Sequence, residues 1–215
     1  MSGKITPVLK ELVNHPNAGP VAAFSYLHVA IVILLVGDEA PVGRIGLSKK
    51  LGLGEGTTRN IITRLMRSRL VDISRRGCVL TQRGEALYGL LRRKLSAVIE
   101  FYAEQLALGK STAAIMVRAS GKNVNHGIEQ RDAALRAGAD GAITLLVQNR
   151  EYVMPVEPEE TLASLDPLVL KLESCFHPRD NDVLIIAGAQ ERNLAHFGAM
   201  AAALTLINQI TAARN

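Results

Sequence analysis

The chain has 215 residues, a net charge of +5, 48% apolar residues and 21% charged ones. These proportions are those of a globular protein and exclude collagen-like, low-complexity and disulfide-scaffold classes. The charge is unevenly divided: residues 1–110 carry 16 Lys and Arg against 8 Asp and Glu, and residues 111–215 carry 9 against 12. A basic half joined to a mildly acidic half implies two domains with different partners, the basic one suited to a polyanion such as nucleic acid.

Trp is absent and aromatics make up 4%, so the core has to be aliphatic. Cys78 and Cys175 fall in no metal-ligand spacing. They read as reduced thiols of a cytoplasmic protein that holds neither metal nor cofactor. No signal-peptide pattern opens the chain. The most apolar run, Val21 to Val36, has 16 residues, short of the roughly 20 that span a membrane. Ser25 and His28 also interrupt it, so it reads as a buried helix and no membrane partner is expected.

In chain order, Pro7 to Val13 suggests a short helix broken by Asn14-His15-Pro16. The helix from Val21 to Val36 is expected to end at Gly37-Asp38. Pro41 to Gly43 suits a brief strand. Arg44 to Leu51 reads as a helix with Ile45, Leu47 and Leu51 facing the core, closed by a left-handed Gly52. Glu55 to Leu70 is amphipathic: at 100° per residue, Ile61, Ile62, Leu65 and Met66 fall on one side. Asn60, Thr63 and Arg67 fall opposite, flanked by Arg59 and Arg64. Val71 to Ser74 and Cys78 to Thr81 then form a hairpin around Arg75-Arg76-Gly77. Thr81 is a suitable N-cap for the next helix. Leu87, Leu90, Leu91, Leu95, Val98, Tyr102 and Leu106 extend that helix to about Leu108.

Forked and short polar side chains on a helix face turned from the core are what base reading requires. Asn pairs bidentately with adenine and Arg with guanine. Asn60, Thr63, Arg64 and Arg67 supply such a face, with Arg59 beside them. Thr57 and Thr58 lie near the helix start, where phosphates are favoured. Arg75 and Arg76 at the hairpin tip suit phosphates or a minor groove. Lys49 and Lys50 add backbone contacts.

The stretch Leu47 to Leu87, LSKKLGLGEGTTRNIITRLMRSRLVDISRRGCVLTQRGEAL, resembles the winged helix-turn-helix transcriptional regulators of bacteria and archaea. The glycine turn, the Leu-Val after the helix and the L-T-x-x-G after the hairpin carry the resemblance. It covers about a fifth of the chain and is specific to a fold class. It implies sequence-specific binding of double-stranded DNA, usually as a homodimer. The order of the whole chain also resembles an archaeal family of uncertain function, in which a winged helix precedes a small α/β domain.

The second half alternates strands and helices. Thr112 to Arg118 is an apolar strand, Gly127 to Ala137 a helix, and Ala142 to Gln148 a strand that turns at Asn149-Arg150 into Tyr152 to Pro155. An acidic loop, Glu157 to Glu160, precedes a partly helical Leu162 to Phe176. Asp182 to Ala187 is a buried strand and Asn193 to Ile210 a helix. This order favours a sheet with helices packed on it. In open α/β sheets, ligands sit beyond the carboxyl ends of strands. Two such junctions place Arg118, Lys122, Asn123, His126, Arg131 and Arg192 as candidates for a small anionic metabolite.

His126, Glu129, Asp132 and Asp140 are acid–base groups in principle, but no motif with a catalytic mechanism surrounds them. The sequence therefore predicts no catalytic residues. The expected fold is α+β or α/β: a winged-helix domain, residues 1–108, joined by its long helix to an α/β domain, residues 111–215, for sensing or dimerisation. The expected function is a DNA-binding transcription regulator under metabolite control. The competing readings are an RNA- or protein-binding adaptor and a DNA-tethered metabolite enzyme.

Overall fold

The structure is a computed structural model that describes residues 9, 11–13, 24–103, 106–155 and 166–207, with backbone alone at 166 and 167. It is a mixed α+β chain of two compact units that divide at Arg92/Arg93, upstream of the boundary expected near residue 110. The Glu157–Glu160 loop and the start and end of the chain lie outside the described residues.

In the first unit, α1 spans Tyr26–Glu39, α2 Arg44–Leu51, α3 Glu55–Arg67, β1 Val71–Ser74 and β2 Gly77–Leu80. The helix α4, Gln82–Lys94, begins in this unit. Helix α1 buries residues on nearly every side, from Leu27 to Val36, and packs on α2 and β2. It does not stop at Gly37-Asp38. Gly37 is there for close approach: a Cβ on it would sit 2.2 Å from the Tyr88 ring. Asp38 accepts hydrogen bonds from Tyr88 Oη at 2.8 Å and Arg92 Nε at 3.2 Å, which tie α1 to α4.

Gly52 takes the left-handed conformation expected of it, φ 62° and ψ 24°. Leu47 and Leu51 are buried, but Ile45 is 56% exposed. In α3, Ile61, Ile62 and Leu65 are buried, whereas Met66 is 39% exposed. Both misplaced residues lie at the edge of the apolar arc, where a short helix has no neighbour to cover them.

Strands β1 and β2 pair antiparallel from Val71↔Leu80 to Ser74↔Gly77. Val42 adds a bridge to Cys78, the brief strand expected at 41–43. Thr81 closes the hairpin base, its N–H on Leu70 O at 3.1 Å and its hydroxyl on Arg69 O at 2.6 Å. The same hydroxyl accepts Gly84 N–H at 3.1 Å, so Thr81 is the N-cap of α4.

The long helix to Leu108 does not form. Helix α4 ends at Lys94, whose carbonyl accepts Arg118 N–H at 2.8 Å. Leu95 bridges Val117, and Ile99–Phe101 is a strand, β3. The three- and four-residue spacing continues past Lys94, but Val98 and Ile99 are β-branched and prefer extended backbone. An open sheet edge supplies the partners: Ile99↔Ala114 and Phe101↔Thr112.

The second unit continues with β4 Ser111–Val117, a 3₁₀ turn Gly121–Asn123, α5 Ile128–Arg136, β5 Gly141–Gln148 and β6 Glu151–Val153. It closes with α6 Asp166–Phe176, β7 Val183–Ala189 and α7 Arg192–Ile207. The sheet order is β3-β4-β7-β5-β6, and every pairing is antiparallel.

Helices cover both faces. Residues alternate across each strand, so Ala114, Met116, Leu184, Ile186, Leu145 and Val147 meet Leu168, Leu172 and Phe176 of α6 on one side. On the other lie α7, against β4 and β7, and α5, against β5 and α7. Helix α7 packs this closely because it is built of small residues. A Cβ on Gly198 would stand 2.6 Å from Ala139 Cβ and 3.3 Å from Ala187 Cβ.

Candidate functional site

Helix α3 and the hairpin hold most of the cations predicted to face nucleic acid. Arg59, Asn60 and Arg67 are exposed, and Thr57 and Thr63 are half-buried. Arg75 and Arg76 are exposed at the hairpin tip. Ser74 Oγ stiffens that tip, donating to Gly77 O at 2.9 Å and accepting Arg76 N–H at 3.2 Å. Lys49 is exposed. Lys50 is also exposed but ion-paired with Glu39.

Two of the expected contacts are not available. Thr58 is fully buried and donates to Gly54 O at 3.2 Å, so it serves the helix start. Arg64 is half-buried, donates to Val13 O and lies 5.2 Å from the centre of the Phe24 ring. Its guanidinium holds residues from before α1 against α3. Helical spacing placed Arg64 at the flank of the polar face, and the flank is where that earlier segment packs. Arg69, exposed with a left-handed φ of 54°, is a further cation at the end of α3 that helical spacing did not select.

In the second unit the six expected ligand residues do not converge. Because β4 and β7 are antiparallel, with Ser111↔Ala189 and Val117↔Val183, their carboxyl ends lie at opposite ends of the sheet. Arg192, after β7, is paired with Glu100 of β3. Asn123 is a strut, its amide donating to Leu206 O at 3.0 Å. Arg118 and Lys122 are exposed. Lys122 belongs to a loop pinned by Asn181, whose carbonyl accepts Ser120 and Gly121 N–H at 2.8 Å. Among the described residues, His126 and Arg131 are the two of the six that line one pocket, of about 170 Å³.

A larger opening of about 550 Å³, beside the turn that precedes β7, escaped sequence reading. Arg150, Tyr152, Glu173, His177, Arg179 and Asp180 line it. Burial, then the neighbouring Glu173 carboxylate, pushes the Tyr152 phenol up to about 12. These residues come from a hairpin, a helix end and a turn, so no local spacing joins them. The one available signal was a set of turn-forming residues, and Asn149, Arg150 and His177 indeed take positive φ. Among the described residues no group of His, Cys, Asp and Glu could hold a metal ion, and no helix is long and apolar enough to cross a membrane.

Residues 108–206 match the model of a family described as a domain of unknown function, DUF4443. The match falls within the second unit. The chain is similar in structure to a hypothetical protein, PH0730, from Pyrococcus horikoshii OT3. The TM-score is 0.71 at 28% identity, over 85% of this chain and 92% of that one. No curated protein sequence matches the chain.

Proposed function

We propose that the chain is a DNA-binding transcription regulator whose first unit is a winged helix and whose second unit answers to a small anionic metabolite. The observation that carries the reading is the division of α3. Ile61 and Leu65 are fully buried while Asn60, Arg59 and Arg67 are exposed, and the Arg75-Arg76 tip follows within one hairpin. Helix α3 is the recognition helix in this reading. Asn60 and Arg67 read base edges, Thr57 and Lys49 meet phosphates near its start, and the hairpin tip follows the backbone. The regulator acts as a homodimer on two half-sites, and the effector shifts the population of two dimer arrangements by binding them unequally.

The test begins with a duplex recovered by selection from random sequence. Asn60→Ala or Arg67→Ala is expected to cost about 1–3 kcal/mol on that duplex and to relax the base preference. Arg75→Ala is expected to weaken all duplexes alike and flatten the salt slope by about one. Selection that enriches no sequence, or an Asn60/Arg67/Arg75 triple variant that binds duplex unchanged, removes the assignment. Tighter binding to RNA at matched salt would favour the adaptor reading instead.

A further inference from the structure

We infer that the pocket at the start of α5 binds a short aliphatic carboxylate. The inference deepens the metabolite half of the reading above by naming its site and ligand class. Thr144 of β5 lines this pocket. It is 5% exposed, and its hydroxyl has no hydrogen-bond partner. A buried polar group left unpaired is destabilising. Thr144 Oγ1 is therefore an unpaired donor on a residue that lines the cavity together with Arg131 and His126.

The pocket sits where a helix begins. Gly127 caps α5 with φ 74°, and the first amides of a helix have no partners within it and favour an anion. A Cβ on Gly127 would come within 3.4 Å of Thr144 Cβ and 3.6 Å of Pro155 Cγ, so the missing side chain keeps the space open. His126 and Arg131 stand at the same wall. Among the described residues, Arg131 is paired only to its neighbour Asp132, at a long 3.8 Å. Glu129, the acid of the first turn, accepts from Asn125 at 3.5 Å and does not line the pocket.

The remaining walls choose the tail. Ile143, Met154 and Pro155 are apolar, and inorganic phosphate would leave them uncovered. The volume, about 170 Å³, is well below the roughly 300–1,000 Å³ of pockets that hold drug-sized ligands, which suits a small ligand better than a nucleotide. A carboxylate on the helix start, Arg131 and Thr144, with a small branched tail toward Ile143, Met154 and Pro155, meets both the polar and the apolar lining.

The full chain is titrated with isovalerate, its neutral amide isovaleramide, and inorganic phosphate at matched ionic strength, and amide NMR shifts are followed. Isovalerate is expected to move Ile128 to Arg131 and Thr144 and to bind more tightly than phosphate or the amide. Arg131→Gln and Thr144→Val are each expected to weaken it about tenfold. Thr144→Val, which keeps the shape and removes the orphan hydroxyl, should melt no lower than the parent without ligand. Three results would overturn the proposal: no isovalerate shifts at α5, equal binding of the neutral amide, or unchanged affinity in both variants. A lower melting point for ligand-free Thr144→Val would do so too, since it would show a hydroxyl already satisfied. Every readout lies in the second unit, so loss of DNA binding leaves this result standing, and the reverse holds as well.

Discussion

The two units gather their chemistry in opposite ways. In the first, the exposed residues offered for base and backbone contact, Arg59, Asn60, Arg67, Arg75 and Arg76, lie on one helix and the hairpin that directly follows it. In the second, the α5 pocket draws on the loop at His126, the strand residue Thr144 and the post-strand Pro155. A surface made by one continuous segment needs only local geometry to form. A pocket made by three segments depends on the sheet order. The first unit should therefore tolerate change outside α3 and the hairpin, whereas the second should lose its site with its sheet.

The largest effects come from the cores. Leu65 in the first unit and Leu184 in the second are fully buried, so Leu65→Ala and Leu184→Ala are each expected to cost about 2–5 kcal/mol in urea unfolding. The comparison sharpens when each variant is also read at the α5 pocket. The Leu184 variant should lose the isovalerate shifts, since β5 pairs with β7 at Leu145↔Leu184, next to Thr144. Loss of less than 1 kcal/mol in either variant would show that these leucines are not the centres of their cores.

A single-turn comparison within α3 comes next. Arg64 and Arg67 are one turn apart and were read from sequence as equivalent. In the structure Arg64 is bound to Val13 O and Phe24, and Arg67 is exposed. Arg64→Ala should lower the stability of the first unit by about 1 kcal/mol, the scale of one hydrogen bond, and leave base preference intact. Arg67→Ala should do the reverse. If both variants lose base preference and neither loses stability, the reassignment of Arg64 fails.

That pair also marks where sequence reading ran out. The helix α3, its inward Ile61 and Leu65, the Gly52 turn, the Thr81 cap and the hairpin were legible because each depends on residues within a few positions. Arg64 was not, because its partner lies 51 residues earlier. Four of the five strands of the second unit were placed to within two or so residues, since apolar runs such as Val183–Ala189 declare themselves, and β3 was read as helix. Their direction was not legible, because an apolar run reads the same in a parallel or an antiparallel sheet. Direction mattered: with parallel strands the two junctions would share one end of the sheet, and the antiparallel order separates Arg192 from His126. The overlong helix had a similar cause, since only the β4 edge shows why Ile99 leaves the helical path.

The smallest expected effect is a pH dependence confined to the start of α1. His28 Nδ1 accepts the Ser25 N–H at 3.1 Å and lies 3.1 Å from Ser25 Oγ, closing the first turn as a capping box. Burial lowers its pKa from the ordinary 6.5, because the charged ring would lose solvation. The unfolded chain binds the proton more readily, so His28 contributes stability that is fully present above about pH 6.5 and is lost as pH falls through the lowered folded value. The difference in urea midpoint between the parent and His28→Gln should shrink between pH 7.5 and pH 5. A constant difference across that range would mean that His28 keeps its ordinary pKa in the fold and that the cap does not depend on a neutral ring.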